Sequence, residues 1–233
     1  MKKLIVTCEH GGNKLPEEYN NLIPQNVLNS HKGWDPGALE IFKNFCLIPN
    51  YFSLVSETSR LLIELNRSID HRNLFSNYSK NLSINDKKLI IEKFYSPFRK
   101  IILEKVKAVI KSGFTVIHLS IHTFTPSLNG KKRDTDIGIL YDPKSEGEKN
   151  FSALFKEDIL KKSDLKVRFN YPYLGISDGH TSYLRKKNGY KKYLGIELEV
   201  NQKFYFEKNN GFDQIINILK DAFESSFLRF QPI

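Results

Sequence analysis

Two periods of apolar residues alternate along the chain and predict alternating strands and helices. Residues 113–126 (GFTVIHLSIHTFTP) have the period of two that is typical of a strand and are rich in β-branched residues. The run is apolar enough to predict a central strand that is buried on both faces. It ends at His122, before a loop closed by Pro126. Because open α/β sheets bind ligands at the carboxyl ends of their strands, His122 is the first candidate for a functional residue.

The same two periods recur on both sides of this strand. Further strands are predicted over residues 3–9, 51–57, 60–65, 136–142, 165–170 and 193–200. Helices are predicted over residues 35–45, 85–112, 147–162 and 211–227. Asp35 is the expected N-cap of the first helix, Pro36 its first residue, and Pro97 is expected to kink the second. Strands separated by helices need crossover connections, which predicts an α/β fold: a three-layer α/β/α sandwich with a mostly parallel central sheet.

Length and composition predict one domain over residues 1–233. The chain has 233 residues and no linker rich in Pro, Gly or Ser divides it. Its start has a basic pair and an apolar run of only a few residues, so we expect neither a signal peptide nor a membrane span. Cys8 and Cys46 are the only cysteines, which is typical of reduced thiols in a cytoplasmic protein.

The formal net charge of +10 raises the question of nucleic-acid binding. The lysines are scattered over the predicted helix surfaces, and no recognition motif accompanies them. The densest basic run, residues 185–192, is the part most suited to contact an anion. We therefore expect no specific nucleic-acid partner and keep a basic, non-enzymatic binding module only as the weaker alternative.

Histidines at two predicted strand ends suggest a metal site. His118 and His122 share one strand face, but four residues of strand span about 13 Å, so the two cannot bind one ion. We take His122 as the ligand and His118 as a core or supporting histidine. His10 directly follows the first strand, and Gly11 and Gly12 after it allow a tight turn. Two imidazoles completed by an oxygen ligand form the donor set that Zn²⁺ favours.

The sequence offers two oxygen ligands and two candidate general bases. Glu9 and Asp35 are the oxygen candidates, although Asp35 before a proline is also an ordinary helix cap. Glu197 and Glu199 lie on one face of a strand that is otherwise apolar, where burying an unpaired carboxylate is costly. That cost suggests a function, such as a general base for an attacking water. We prefer Glu199 because it lies closer to the carboxyl edge, but a register error would exchange the two.

Guanidinium groups flank the apolar run LLIEL. Arg60 precedes it and Arg67 follows, next to Asn66, and arginine binds carboxylates and stabilises oxyanions. The alternative is ordinary ion pairing, for which the acidic candidates are Glu57, Glu64 and Asp70. His31 and His180 are candidates for substrate contacts, the second near a helix start.

Seven segments in order carry a family resemblance: EHGG, HKGWDPGA, SRLLIELNRS, HLSIHTFTP, DTDIGILYDP, NYPYLGISDGHTSYLR and YLGIELEVNQ. Together they resemble the N-formylglutamate amidohydrolase family over almost the whole chain. That family is similar to the zinc carboxypeptidases, which implies a carboxypeptidase-like, phosphorylase/hydrolase-like α/β/α sandwich. The resemblance matches Ser-Ile-His to residues 120–122, the Asn-Arg pair to residues 66–67 and the late Glu-Leu strand to residues 197–199. It departs at the first ligand motif, His-x-x-Glu, because Asn13 stands three residues after His10.

The resemblance implies a zinc-dependent hydrolase of the C–N amide bond in a small N-acyl amino acid, with N-formyl-L-glutamate as the leading substrate. His10 and His122, with Asp35 or Glu9, are expected to hold Zn²⁺. Glu199 is expected to take the proton of the attacking water and Arg60 to face the oxyanion, with Asn66 and Arg67 on the α-carboxylate. A carboxypeptidase-like metallopeptidase is the other enzymatic alternative, and an open cleft would favour it.

Overall fold

A six-stranded sheet forms the centre of the protein, whose structure is a computed structural model that describes residues 1–207 and 211–232. Its strands and a separate two-stranded ribbon have these bounds: β1 Lys2–Cys8, β2 Phe52–Val55, β3 Thr115–Phe124, β4 Ser127–Leu128, β5 Lys131–Lys132, β6 Ile137–Leu140, β7 Val167–Phe169 and β8 Tyr193–Asn201. The order in the large sheet is β2-β1-β3-β8-β6-β7. Strands β2, β1, β3 and β8 are parallel, whereas β6 runs antiparallel to β8. The predicted mostly parallel sheet is therefore confirmed.

Helices cover both faces of the sheet. Their bounds are α1 Gln25–Leu28, α2 Ala38–Phe45, α3 Ile84–Ile90, α4 Ser96–Lys111, α5 Glu146–Leu160, α6 His180–Asn188, α7 Lys203–Phe206 and α8 Gly211–Arg229. Apolar side chains of β1, β3 and β8 pack on one face with α2, α5 and α8, and a second core forms against α4 on the other face. All ten residues of β3 are buried, as its apolar pattern predicts. The three-layer α/β/α arrangement is thus confirmed; the prediction of one domain over residues 1–233 also covers residues 208–210 and 233, which lie outside the described residues.

Two sequence predictions about local structure are wrong at the segments that build the site. Residues 60–65 form a buried loop rather than a strand, because the backbone N–H groups of Arg60 and Glu64 donate to the carbonyls of Gly33 and Leu74 and not to a strand ladder. Asp35 does not cap α2, which begins at Ala38 after Gly37. Gly37 has φ 88°, a left-handed conformation that suits glycine and that turns the chain into the helix.

The predicted long helix before β3 consists of three parts. A π-helical turn over residues 91–95 joins α3 to α4, and Pro97 lies in the first turn of α4. The backbone keeps right-handed helical angles at Ile90, Ile91, Tyr95 and Ser96, so Pro97 lies inside a continuous helical run, directly after the π-helical turn. An irregular turn beside a proline, which has no N–H to donate, is a usual place for a helix to bend. Among the helices of the described residues, none is long and apolar enough to cross a membrane.

A buried ion pair between α5 and α6 joins both helices to β8 and to two loops. Nε of Arg185 donates to Oε1 of Glu148 at 2.7 Å, and its Nη atoms donate to the carbonyls of Gly175 and Gly195, each at 2.9 Å. The Glu148 carboxylate in turn accepts from the backbone N–H groups of Asp142 and Gly195, each at 2.8 Å. Arg185, which begins the densest basic run, thus contacts an internal carboxylate and is 3% exposed.

We expect Arg185→Met to lower the free energy of unfolding by about 3–5 kcal/mol, because Glu148 would keep a buried charge without its partner. The double variant Arg185→Met/Glu148→Met should be less destabilised than the sum of the two single variants, since no charge is left unpaired. Lys186→Met, one residue away and exposed, is the control and should change stability by less than about 0.5 kcal/mol. Urea unfolding of the wild type, the two single variants, the double variant and the control measures these effects; equal effects at positions 185 and 186 would contradict the expectation.

Candidate active site

The carboxyl ends of β1, β3 and β8 surround a cavity of about 150 Å³. Parallel pairing brings the three strand ends to one edge of the sheet, and the register sets His122 of β3 beside Glu199 of β8. The cavity is lined by His10, Asp35, Arg60, Asn66, Arg67, His122, Thr123, Tyr173, Leu174, Ser177, Asp178, Glu197 and Glu199. Eight of the residues that the sequence singled out are among them: His10, Asp35, Arg60, Asn66, Arg67, His122, Glu197 and Glu199.

Two glycines fix the position of His10 at the end of β1. The N–H of Gly11 donates to the carbonyl of Ser56 at 2.9 Å. A Cβ atom at Gly11 would lie 2.5 Å from a methyl group of Val55, and one at Gly12 would lie 2.6 Å from the carbonyl oxygen of Glu57. Glycine is therefore needed here for close packing against the neighbouring segment, in addition to the turn that the sequence predicts.

His10, Asp35 and His122 converge on one point. Oδ2 of Asp35 lies 3.3 Å from Nδ1 of His10 and 3.0 Å from Nδ1 of His122. One ligand atom from each residue lies within 4.8 Å of the others, and all three residues are buried. The backbone N–H of Asp35 also donates to the carbonyl of His10 at 3.0 Å, which joins the two segments. The geometry thus groups Asp35 with the two histidines.

Hydrogen bonds at Nε2 of His10 and of His122 leave Nδ1 of each ring directed at Asp35. Nε2 of His122 donates to Oγ of Ser120 at 3.0 Å, because the Ser120 hydroxyl gives its own hydrogen to Glu9 at 2.7 Å. Nε2 of His10 contacts the carboxylate of Glu64. A carboxylate or hydroxyl partner on one ring nitrogen is the usual way in which a metal-binding imidazole is oriented through the other.

Glu9 lies beneath the cavity and does not join the group. Its carboxylate accepts hydrogen bonds from Thr7 at 2.9 Å, from Ser120 at 2.7 Å and from Nδ1 of His180 at 3.1 Å. Burial by itself raises the pKa of Glu9, but the hydrogen bonds from His122 and His180 lower that pKa well below the ordinary value. Glu9 is thus a charged acceptor that orients His122, and of the two expected oxygen donors only Asp35 reaches the cavity.

His118 and His180 belong to the same buried layer as Glu9. Nε2 of His118 donates to Oγ1 of Thr7 at 2.8 Å, and its Nδ1 accepts from the hydroxyl of Tyr193 at 2.6 Å. Burial lowers the pKa of His118 to about 3, so this ring is neutral. His180 begins α6, is fully buried and does not line the cavity, although the sequence suggested a substrate contact. His31, the other expected contact, is exposed and lines a groove outside the cavity.

Arg60 balances the carboxylates on one wall of the cavity. Its Nη1 donates to Oδ1 of Asp35 at 3.0 Å, and its Nε and Nη2 donate to Oε2 of Glu64 at 2.9 and 2.6 Å. Glu64 is one of the ion-pair partners that the sequence offered for Arg60, whereas Glu57 pairs with Lys14 instead. Burial disfavours the charge of Glu64, but Arg60 and His10 hold its pKa well below the ordinary range. The Arg60 side chain is 28% exposed and lines the cavity.

The two glutamates of β8 differ in their surroundings. Oε1 of Glu197 accepts a hydrogen bond from the hydroxyl of Thr181. Oε2 of Glu199 is buried and has no hydrogen-bond partner among the described residues. Burial raises the pKa of Glu199 to about 8, with a smaller contribution from the carboxylate of Asp35. Glu199 is therefore the carboxyl group at the cavity that most readily exchanges a proton near neutral pH.

Asn66 and Arg67 also line the cavity. Oδ1 of Asn66 accepts from the backbone N–H of His180 at 2.7 Å, and its Nδ2 lies 3.4 Å from Nε2 of His122. Nη1 of Arg67 donates to the carbonyl of Asp178. The carboxylate of Asp178 accepts hydrogen bonds from Ser68. The sequence did not identify Asp178 as a site residue, because no local pattern marks a loop residue that binds another loop.

The charges of the site favour a bound cation. Six carboxylates line the cavity or lie directly beneath it, against two guanidinium groups among the described lining residues; the carboxylates are Glu9, Asp35, Glu64, Asp178, Glu197 and Glu199, and the guanidinium groups are Arg60 and Arg67. Burial disfavours a charged His122, yet hydrogen bonds to Asp35 and Glu9 raise its pKa well above the ordinary value. A proton thus supplies positive charge between the ring and Asp35, and two imidazole nitrogens with one carboxylate oxygen are also a suitable donor set for zinc.

Comparisons with known proteins agree on fold and family. The sequence model of the N-formylglutamate amidohydrolase family matches residues 2–206. The crystal structure of gene product Atu2144 from Agrobacterium tumefaciens aligns with a TM-score of 0.81 and 24% identity over 97% of this chain and 90% of that chain. The N-formylglutamate amidohydrolase from Ralstonia eutropha JMP134 aligns with a TM-score of 0.77 and 16% identity over 96% and 92% of the two chains.

Two further comparisons complete these findings. A metallo-carboxypeptidase from Burkholderia cenocepacia gives a TM-score of 0.43 and 14% identity over 98% of this chain and 57% of that chain. Comparison with curated protein sequences found no significant match. The two alignments with TM-scores of 0.81 and 0.77 support the same fold for this chain.

We expect Glu199→Gln to stabilise the metal-free protein in a pH-dependent way. The folded-state pKa of about 8 lies above the ordinary value of 4.5, so the wild type loses stability as the pH rises from about 4.5 to 8 and the full penalty remains above 8. The variant lacks this penalty and should gain on the order of 2 kcal/mol relative to the wild type between pH 5 and pH 9.

Unfolding in the presence of a chelator at pH 5, 7 and 9 measures this difference. Glu197→Gln is the matched control, since the amide oxygen can still accept from Thr181 and no unpartnered charge is removed. The same pH-dependent gain in both variants would contradict the special position of Glu199.

Proposed function

The chain belongs to the N-formylglutamate amidohydrolase family, and we propose that it is a metal-dependent hydrolase of the C–N amide bond in a small N-acyl amino acid, with N-formyl-L-glutamate as the leading substrate. The family supports an enzyme that hydrolyses amides. The observation that carries the metal-dependent mechanism is the convergence of Nδ1 of His10, Nδ1 of His122 and Oδ2 of Asp35 beside the unpartnered carboxyl of Glu199.

His10, Asp35 and His122 would hold one Zn²⁺ ion. When bound, zinc would act as a Lewis acid that polarises the substrate carbonyl and makes the attacking water more acidic. Glu64 and Glu9 would support the two histidine ligands. The Glu64 carboxylate contacts Nε2 of His10, and Oε2 of Glu9 lies 3.4 Å from Nε2 of His122. Removal of either partner would allow the ring to turn or to change tautomer.

Glu199 would transfer the proton. Its carboxylate would accept a proton from the attacking water as the oxygen bonds to the acyl carbon, and would deliver it to the amine nitrogen as the C–N bond breaks. Burial raises the pKa of Glu199 to about 8 in the metal-free site, and a cation held by the neighbouring ligands would lower that pKa and favour the carboxylate form that accepts the proton. Glu197 is the second candidate, but its hydrogen bond with Thr181 favours a supporting role.

Three other side chains would orient the substrate. Arg60 would face the oxygen of the acyl group, where its charge would stabilise the developing oxyanion while Asp35 and Glu64 hold the guanidinium in place. Asn66 and Arg67, which also line the cavity, would bind the α-carboxylate, since arginine binds a carboxylate through two parallel hydrogen bonds. The products would be the free amino acid and, from an N-formyl substrate, formate.

Asp35→Ala and His122→Ala should abolish stable metal binding, because each removes one of three ligands. We expect about one zinc ion per chain in the wild type after equilibrium dialysis, and hydrolysis of N-formylglutamate should fall by at least about 100-fold in both variants. Mass spectrometry of the metal content and release of glutamate measure the two effects. Asp164→Ala, at an exposed acidic position outside the cavity, is the control and should retain both properties. Unchanged metal content and activity in the Asp35 and His122 variants would refute the proposal.

Arg67→Lys should raise KM for N-formylglutamate by about tenfold with a smaller change in kcat, because lysine cannot replace a bidentate contact to the α-carboxylate. The matched control is the substrate analogue with an α-carboxamide, for which the variant and the wild type should have similar kcat/KM. An equal loss on both substrates would show that Arg67 does not recognise the carboxylate.

One observation favours the second candidate function, a carboxypeptidase-like metallopeptidase. The cavity is not closed, since Asp35, Arg60, Thr123 and Tyr173 line both the cavity and a wider groove outside it. A longer acyl chain would therefore have space to extend from the same catalytic residues.

A further inference from the structure

A wide groove continues from the cavity toward the surface on the side of Asp35 and Arg60. It has a volume of about 760 Å³, against about 150 Å³ for the cavity. We call it the outer groove; it is lined by His31, Lys32, Asp35, Arg60, Leu61, Glu64, Arg72, Asn73, Phe75, Ser76, Asn77, Tyr78, Lys80, Thr123, Phe124, Thr125, Leu128, Tyr173 and Gln202. A formyl group contains one carbon and one oxygen and leaves this groove unused.

The lining of the outer groove is positively charged. Lys32, Arg72 and Lys80 are exposed at its rim. Asp35 and Glu64 are the only acidic residues among the described lining residues, and Arg60 pairs with both. The groove therefore presents uncompensated positive charge to a ligand.

Two rim cations are free to bind an anion. Within residues 1–207 and 211–232, neither Lys32 nor Arg72 lies within 4.0 Å of a carboxylate oxygen. Burial and then the charges of Lys32, Arg60 and Arg133 lower the pKa of His31, which agrees with a positive local field. Arg133 adds its charge beside the groove, where its guanidinium lies 5.2 Å from the ring centre of Tyr173.

The outer groove also suits the backbone and side chains of an extended chain. Apolar surface comes from Phe75, Leu128 and Tyr173, and the amides of Asn73 and Asn77 can bind peptide groups. Mixed apolar, amide and cationic surface is suited to a short peptide with acidic side chains.

The residues that line the cavity differ from those that line the outer groove, and this difference predicts the orientation of the substrate. Asn66 and Arg67 line the cavity but not the outer groove, so the α-carboxylate end of the substrate lies inside. The acyl end then points past Arg60 into the outer groove.

We propose that the outer groove binds the acyl part of the substrate and selects a short acidic peptide there, so that N-formylglutamate is the smallest member of the substrate class and not the preferred one. The proposal rests on the amide hydrolysis proposed above. Water would add to the amide carbonyl carbon and the C–N bond would break. The acidic peptide would leave with a new carboxylate and the amino acid with an amine that has received the proton.

The binding test uses acetyl-Glu-Glu-Glu, acetyl-Ala-Ala-Glu and acetyl-Lys-Lys-Glu, which share the terminal residue and differ only in the acyl part. Isothermal titration of the zinc-loaded Glu199→Gln variant separates binding from hydrolysis. We expect the glutamyl peptide to bind at least about tenfold more tightly than the alanyl peptide at low salt, and the ratio to fall as salt screens the rim charges.

Charge reversal at the rim tests whether the outer groove is responsible. Lys32→Glu/Arg72→Glu, combined with Glu199→Gln, should bring the ratio of the two affinities close to one. The matched control is Lys107→Glu/Lys111→Glu, the same change of charge at exposed positions of α4, which should preserve the ratio. Thermal unfolding establishes that both variants fold.

The active enzyme supplies the second readout, the kcat/KM for the same peptides and for N-formylglutamate. A higher kcat/KM for the glutamyl peptide than for the other two peptides and for N-formylglutamate supports the proposal. Equal affinities for the three peptides overturn the proposal, and so does an equal loss of selectivity in the Lys32→Glu/Arg72→Glu and Lys107→Glu/Lys111→Glu variants. Either result leaves the proposed function intact where N-formylglutamate is hydrolysed. Selective binding without hydrolysis of any amide overturns the proposed function, and with it the assignment of the groove to an acyl group.

Discussion

The need to balance buried carboxylates at the carboxyl edge of the sheet determines how the site is built. Arg60 meets this need on one wall, since a single guanidinium pairs with Asp35 and Glu64, which come from two different loops. Glu64 then contacts His10, and Asp35 contacts both His10 and His122. Because a buried charge without a partner is strongly destabilising, these bonds hold the loops in one arrangement. The same bonds that stabilise the fold therefore orient the candidate metal ligands.

Glu199 is the exception to this balance. Its Oε2 has no partner in the described part of the chain, and burial raises its pKa to about 8. Such a group is unfavourable for stability, yet it is what a proton-transferring residue requires. Glu197, two residues earlier on the same strand face, accepts a hydrogen bond from Thr181. The contrast between these two neighbours shows how one strand can carry a reactive carboxyl beside a satisfied one.

Local patterns predicted the six strands of the large sheet and the longer helices, but not α6 or the loops that complete the site. The strands that carry His122 and Glu199 follow from their periods, since burial on two faces leaves a pattern in the sequence. Residues 60–65 have a similar apolar pattern but form a buried loop, whose backbone bonds go to Gly33 and Leu74. The choice between Glu9 and Asp35 likewise depends on distant residues, because Ser120 and His180, which bind Glu9, lie 111 and 171 positions away from it. No local period contains that information.

The cavity and the outer groove have opposite charges, and this arrangement reconciles a negative candidate active site with a basic protein. The carboxylates inside would repel an acidic substrate if they acted alone. In the proposed mechanism a bound cation would reduce that repulsion at short range, and Arg67, which lines the cavity, would supply a specific contact for one carboxylate. Farther out, Lys32 and Arg72 in the outer groove would attract the same substrate over distances of roughly 10 Å at moderate salt. An anionic ligand would thus meet positive charge first and would reach the carboxylates only where the proposed cation and Arg60 offset them.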